Sequence, residues 1–136
     1  MIDNRTAPYA AFLLRVTMGA LFLAHASLKL FVFTPAGTVG FFGSLGLPAT
    51  AAYATIVIEV AGGLALLLGV WTRWVSFALL PILLGAVLLV HLPNGFFFTA
   101  PKGGWEYPAF WAVALLCQAL LGDGAFSLRR SSATQT

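Results

Sequence analysis

The chain has 136 residues, of which 60% are hydrophobic and only 8% are charged, and its formal net charge is +3. Soluble domains carry about 25% charged residues, so a soluble fold could not cover its surface with this composition. The positive charge is small and scattered, which excludes a nucleic-acid-binding function. We therefore expect an all-helical integral membrane protein that has membrane lipid as its surroundings.

Four apolar segments follow one another along the chain, close to the roughly 20 residues that a membrane-spanning helix needs. They cover residues 8–33, 49–71, 74–92 and 107–122. This spacing predicts a four-helix bundle that forms a single transmembrane domain over residues 8–126. The polar residues 127–136 are expected to form a disordered cytoplasmic tail.

The first segment carries three ionisable residues, Arg15, His25 and Lys29. Such residues are costly inside a membrane span and need an explanation. Arg15 lies near one end of the segment, so we expect its long side chain to snorkel to the lipid headgroups. His25 and Lys29 are four residues apart, which places them on one face of a helix.

The connection that follows, residues 34–48, has no charge and is too apolar for a solvated loop. It predicts a short interfacial or re-entrant segment at the outer side of the membrane.

Glu59 is the acidic residue of the second segment and lies about 13 Å from its start. Counted back from the end of the first segment, His25 reaches a similar depth, with Lys29 one turn farther out. Gly62 and Gly63 share the face of Glu59, and such small residues let helices approach closely. We therefore expect Glu59 to point into the bundle and to pair with Lys29.

Two interpretations of this cluster stay open. In the structural one, Lys29 and Glu59 form an ion pair that locks the first helix to the second. In the functional one, the cluster belongs to a polar pocket for a small ligand or to a proton relay, with His25 and Glu59 as catalytic residues. Buried ionisable groups in a cleft suggest a site, but structural networks have the same appearance.

His91 ends the third segment, and Trp105 and Glu106 open the fourth on the same side of the membrane. With Lys29 they are predicted to contact a ligand. The alternatives are a polar helix end for His91 and, for Glu106, a favourable charge at the positive end of the helix dipole. His91 lies roughly 10 Å farther out than His25, which argues against one haem iron between them.

No compact spacing of metal ligands is present, so we predict no metal site. Cys117 is the single cysteine, which excludes an intrachain disulfide and a Cys-x-x-Cys redox pair. Asp123, just after the fourth segment, is expected to pair with Arg15 or Arg73, or to begin an Asp-Gly turn.

The order and spacing of these residues resemble the DoxX family of small bacterial membrane proteins, over nearly the whole chain. One departure is Ala26, where this family often has glycine. The matching pieces are Arg15, GALFLAH at 19–25, KLF at 29–31, FFGSLGLP at 41–48, EVAGG at 59–63, Gly69, TR at 72–73, His91, NGF at 94–96, GWEYP at 104–108, GDG at 122–124 and SL at 127–128.

The resemblance implies a multi-pass four-helix bundle in a bacterial inner membrane. It implies function only loosely, because members are associated with thiosulfate or quinol oxidation, with thiol and oxidative stress, and with resistance to catechols and quinones. A shared fold does not transfer one mechanism.

From these residues and the resemblance, we expect a redox-associated membrane protein that binds a quinone or a similar apolar aromatic in the outer half of the bilayer. It would act as a quinone-linked oxidoreductase or as its membrane subunit. The alternative is a non-catalytic anchor of a larger oxidoreductase complex, with the ion pair purely structural.

The basic residues predict the orientation of the chain. With both termini inside, the cytoplasmic side holds five of the seven lysines and arginines, and the other side holds Lys29 and Lys102. A reporter that is active only in the cytoplasm should therefore give signal when it is fused to Thr136. Signal from a periplasmic reporter at the same position, with a silent cytoplasmic one, would contradict this topology.

Overall fold

The computed structural model describes residues 3–131, and within this range the protein is helical, with no β-strand beyond one isolated bridge. The five α-helices are α1 (Ala7–Ser27), α2 (Thr34–Ser44), α3 (Ala49–Leu68), α4 (Thr72–Gly85) and α5 (Glu106–Leu121). The all-helical fold class predicted from the sequence is confirmed.

Two of the helices continue beyond their α-helical part. The chain of α1 runs on through a π-helical turn, Leu28–Val32, and that of α4 through a second π-helical turn, Ala86–His91, and a short 3-10 turn, Leu92–Asn94. In a π-helix each backbone bond closes over five residues, and such turns are frequent at functional sites.

Three of these helical stretches are long and apolar enough to cross a membrane: Ala7–Val32, Ala49–Leu68 and Thr72–Asn94. Helix α5 is also apolar, but its 16 residues extend only about 24 Å, less than the roughly 30 Å of a hydrocarbon core. The chain is thus a helical membrane protein, while the fourth span and the orientation stay predictions.

Helix α2 occupies the first outer connection, where the sequence predicts an apolar ordered segment. Its Thr38 is buried, and the Thr38 hydroxyl contacts the carbonyl oxygens of Lys29 at 3.2 Å and Thr34 at 2.9 Å. The helix is thereby attached to the π-turn of α1, and it also packs on α3. Its depth relative to the bilayer stays a prediction.

Small residues bring α1 and α3 into backbone contact. A Cβ atom added to Gly19 would lie 2.8 Å from the carbonyl oxygen of Gly63, and one added to Gly63 would lie 3.1 Å from that of Gly19. The neighbouring Gly62 faces the side chain of Leu79 on α4. Glycine is required here because any side chain would push the helices apart, as expected from the small-residue face of the second segment.

Arg15 does not reach the headgroups, and the expectation that it snorkels is wrong. Its side chain is fully buried, with Nη1 donating to the carbonyl oxygens of Leu66 at 2.8 Å and Leu67 at 3.0 Å, and Nη2 to that of Ala125 at 3.0 Å. The last carbonyls of a helix have no partner within it, and they form the negative end of its dipole. Arg15 of α1 therefore caps α3.

The chain after α5 also contributes to this cap. The backbone amide of Leu128 donates to the carbonyl oxygen of Leu68, and that of Arg129 to Gly69, at 3.1 and 3.0 Å. The prediction of a disordered tail therefore does not hold for Leu128 and Arg129, which supply donors to the end of α3. The end of the predicted tail lies outside the described residues.

Asp123 accepts hydrogen bonds rather than forming the predicted arginine pair. Its carboxylate accepts from the Thr72 amide at 3.0 Å, which caps the start of α4, and from the hydroxyl and amide of Ser131, both at 2.7 Å. Within residues 3–131, neither Arg15 nor Arg73 places a nitrogen within 4.0 Å of it. Burial alone would raise the pKa of Asp123, but the hydrogen bonds from Ser131 and Thr72 outweigh it and lower the pKa.

We expect Arg15→Met to lower the free energy of unfolding by about 3 kcal/mol, because it leaves buried carbonyl acceptors without a donor. The measurement is denaturant unfolding of the purified protein in detergent. Arg5→Met is the matched control, since Arg5 is exposed and its side chain makes no hydrogen bond within the described residues. Equal stability losses in the two variants would contradict the capping role.

Candidate functional site

A cavity of about 980 Å³ lies between the helix ends that are predicted to face outward, on the side away from Arg15. We call it the outer cavity. Its volume is at the upper end of the roughly 300–1,000 Å³ typical of small-molecule sites, and its walls are mostly apolar. Eight side chains with polar atoms line it: His25, Lys29, Thr38, Thr55, Glu59, His91, Tyr107 and Trp111.

Lys29 and Glu59 form the predicted ion pair. The ammonium Nζ lies 3.0 Å from Oε1 and 2.9 Å from Oε2 of the carboxylate, and the side chains are 18% and 4% exposed. This contact confirms that Glu59 points into the bundle. Because both charges are held away from water, each depends on the other: removing one would leave an unpaired charge in a medium of low polarity.

His25 lies on the same wall and is half-buried. Its ring packs edge-on against Trp111 of α5, with 4.9 Å between the ring centroids. Within residues 3–131 it makes no side-chain hydrogen bond. Since a neutral imidazole has one donor and one acceptor nitrogen, His25 offers both functions to a ligand.

His91 is held by two hydrogen bonds at the outer rim of the cavity. Its Nδ1 lies 2.9 Å from the carbonyl oxygen of Gly103, and its Nε2 lies 2.9 Å from the hydroxyl of Tyr107. A carbonyl oxygen only accepts, so Nδ1 of a neutral imidazole carries the hydrogen and Nε2 accepts from Tyr107. The pair is therefore a hydroxyl with an adjacent base.

Trp105 and Glu106 are not among the residues that line the outer cavity, and their contact with a ligand stays a prediction. The carboxylate of Glu106 accepts a hydrogen bond from the Phe98 amide at 2.8 Å, and the Trp105 ring packs against Phe96 with centroids 4.8 Å apart. Both side chains therefore stabilise the loop that precedes α5.

Among the lining residues with polar atoms, the sequence reasoning did not assign Thr38, Thr55, Tyr107 or Trp111 to the site. A signal was available for two of them, because Tyr107 and Trp111 are four residues apart and so share one face of α5. Thr38 lies in a segment whose helical pairing with α1 could not be derived from composition.

The cavity is equipped to hold an organic ligand by hydrogen bonds. The Lys29 ammonium has three N–H groups, and with its nitrogen within bonding distance of two Glu59 oxygens, one N–H remains available. His25 adds a donor or an acceptor. Within residues 3–131, no three side chains of metal-ligating type come together.

Comparison with known proteins agrees with the resemblance. The DoxX family model matches residues 10–92. A protein of Bacillus subtilis (strain 168) named "Putative oxidoreductase CatD" is 36% identical over 125 residues, which is 92% of this chain and 88% of that protein. An uncharacterized protein of Haemophilus influenzae is 29% identical over 123 residues, 89% of each chain. No solved structure matches the chain significantly.

We expect Lys29→Ala and Glu59→Ala each to lower the free energy of unfolding by about 3–5 kcal/mol, because each leaves an unpaired buried charge. The double variant Lys29→Leu with Glu59→Leu should recover much of this loss, since it removes both charges. Thermal unfolding in detergent measures the three effects. Losses that simply add in the double variant would contradict the pairing.

Proposed function

The chain belongs to the DoxX family, and from this premise we propose that it is a redox-associated protein of a bacterial inner membrane that binds a quinone or a similar apolar aromatic molecule. The redox role is supported by the similarity to the Bacillus subtilis protein named "Putative oxidoreductase CatD". The ligand is supported by one observation above all: the outer cavity combines apolar walls with His25, Lys29, Glu59 and His91.

The shape and chemistry of the walls suit a flat ring. Phe33, just after the π-turn, and Phe41 and Phe42 of α2 line the cavity, as does Trp111 of α5. Aromatic faces pack well against another ring. A molecule with apolar rings and one or two oxygen atoms at its edge would satisfy such a site, whereas a charged ligand would lose its hydration without enough partners.

The polar side chains meet the oxygens of such a ligand. The free N–H of Lys29 would donate to a carbonyl or hydroxyl oxygen of the ligand. A ring nitrogen of His25 would either donate to a carbonyl oxygen or accept from a hydroxyl. If the protein is catalytic, His25 or Glu59 moves the proton that accompanies electron transfer. At the rim, the Tyr107 hydroxyl donates to His91 Nε2, which gives the same cavity a second hydrogen-bonded pair of polar side chains.

Electrons require a second component, because the residues described here include no thiol pair, and Cys117 is a single exposed cysteine. We therefore propose a partner redox protein or an additional bound cofactor as the electron donor or acceptor.

A non-catalytic anchor or subunit of a larger oxidoreductase complex is the second candidate. It is favoured by the Lys29–Glu59 pair, in which both carboxylate oxygens already have a partner. In this case the charges serve only to fix α1 against α3, and the cavity would be filled by lipid or by a partner's side chains.

We expect His25→Gln to fold normally and to bind a quinone analogue more weakly by about 1–3 kcal/mol, because one buried hydrogen bond to the ligand is lost. The measurement is the ligand-dependent increase in melting temperature of the purified protein, fitted over a range of ligand concentrations. Ser27→Ala is the matched control: Ser27 is two residues farther along α1, bonds only the carbonyl oxygen of Leu23 and does not line the cavity.

The outcomes separate the two candidate functions. A wild-type protein that no quinone stabilises would remove the support for ligand binding and favour the subunit. Equal stabilisation of wild type and His25→Gln would keep the cavity as a binding site but exclude His25 from it.

A further inference from the structure

A second pocket, of about 390 Å³, lies at the opposite end of the molecule from the outer cavity. It is formed where α1 and α4 begin and α5 ends. We call it the basic pocket, and the side chains that give it its chemistry are Asn4, Arg73, Asp123, Arg130 and Ser131. None of these residues takes part in the function proposed above.

The charges of the basic pocket are not balanced from within. It contains two arginines and one carboxylate, and Asp123 already accepts three hydrogen bonds from Thr72 and Ser131. Within residues 3–131, no acidic side chain lies within 4.0 Å of either arginine. The pocket therefore has cationic groups that can accept an anion.

The lack of a partner for the positive charge is clearest at Arg73. Its Nε is buried and has no hydrogen-bond partner among the described residues, although a buried N–H of a charged group without an acceptor is costly. Its Nη2 lies close to Gly122 at the floor of the pocket, 3.7 Å from where a Cβ of that residue would be. A guanidinium presents its donors in a planar fork that matches two oxygens of a phosphate.

The position of the pocket indicates the source of the anion. It lies at the ends of two spanning helices, which is the depth of lipid headgroups. The starts of α1 and α4 add the positive ends of their dipoles, against the negative end of α5. Leu121, which is exposed, forms part of the rim, so an acyl chain could leave the pocket along the apolar surface of the bundle.

We propose that the basic pocket binds the phosphate group of an anionic phospholipid, held between Arg73 and Arg130. The remaining oxygens of the phosphate would be within reach of the polar groups of Asn4 and Ser131 at its edge. Basic pockets between membrane helices are known to select such headgroups, and each nearby arginine contributes about a factor of five to the affinity.

The test uses the full-length protein in a neutral detergent, with lipid binding counted by native mass spectrometry and confirmed by thermal stabilisation. The probes are phosphatidylglycerol, phosphatidylcholine with the same acyl chains, and sodium phosphate. We expect phosphatidylglycerol to bind in preference to phosphatidylcholine. Arg73→Gln and Arg130→Gln should each weaken that binding about fivefold, while Arg5→Gln, an exposed arginine outside the pocket, should leave it unchanged.

Each result decides the proposal. Equal binding of the two lipids, or unchanged binding in Arg130→Gln, would overturn it. A sodium phosphate effect as large as that of the lipid would overturn the lipid source and assign the site to a soluble phosphate compound. If Arg73→Gln does not fold, Arg73→Lys replaces it: this variant keeps the charge but loses the planar fork, and wild-type affinity would exclude recognition by the fork.

Discussion

The buried guanidinium of Arg15 is the contact on which the arrangement of the helices depends. It has no acidic partner within the described residues, and its charge is met by the last carbonyls of α3. Near the edge of a membrane those carbonyls cannot rely on water, so each needs a donor from the protein. Because α1 supplies that donor, the two helices are fixed in depth relative to each other.

The Lys29–Glu59 ion pair is a second contact between α1 and α3, and its position follows from that of Arg15. Arg15 and Lys29 are 14 residues apart, close to four helical turns or about 21 Å, so they project from the same side of α1. Between them, Gly19 and Gly63 allow the backbones to touch. With α1 and α3 closed along this line, the open volume is left toward α2, α4 and α5, where the outer cavity is found.

The spanning helices could be predicted because each depends on the length of one apolar segment. The ion pair could be predicted because a charge without a partner is costly inside a membrane. The sequence did not predict the role of Arg15, since a snorkelling arginine and a capping arginine have the same position in the sequence and differ only in what α3 offers. Trp105 and Glu106 were assigned to the ligand only from their predicted side of the membrane, which does not determine where a side chain points. Their partners, Phe96 and Phe98, lie in a loop without periodicity.

The π-turn at Leu28–Val32 has a consequence for how the surroundings of the ion pair can change. A π-turn holds about one residue more than an α-turn, so its relaxation to α geometry would rotate the chain that follows, and with it α2, by about 100° relative to α1. That rotation would separate the Thr38 hydroxyl from the Lys29 carbonyl oxygen and displace the part of the cavity wall that α2 supplies beside the ion pair. Loss of one residue within the turn would have the same effect, so the length of this five-residue stretch is as much a part of the site as the charges.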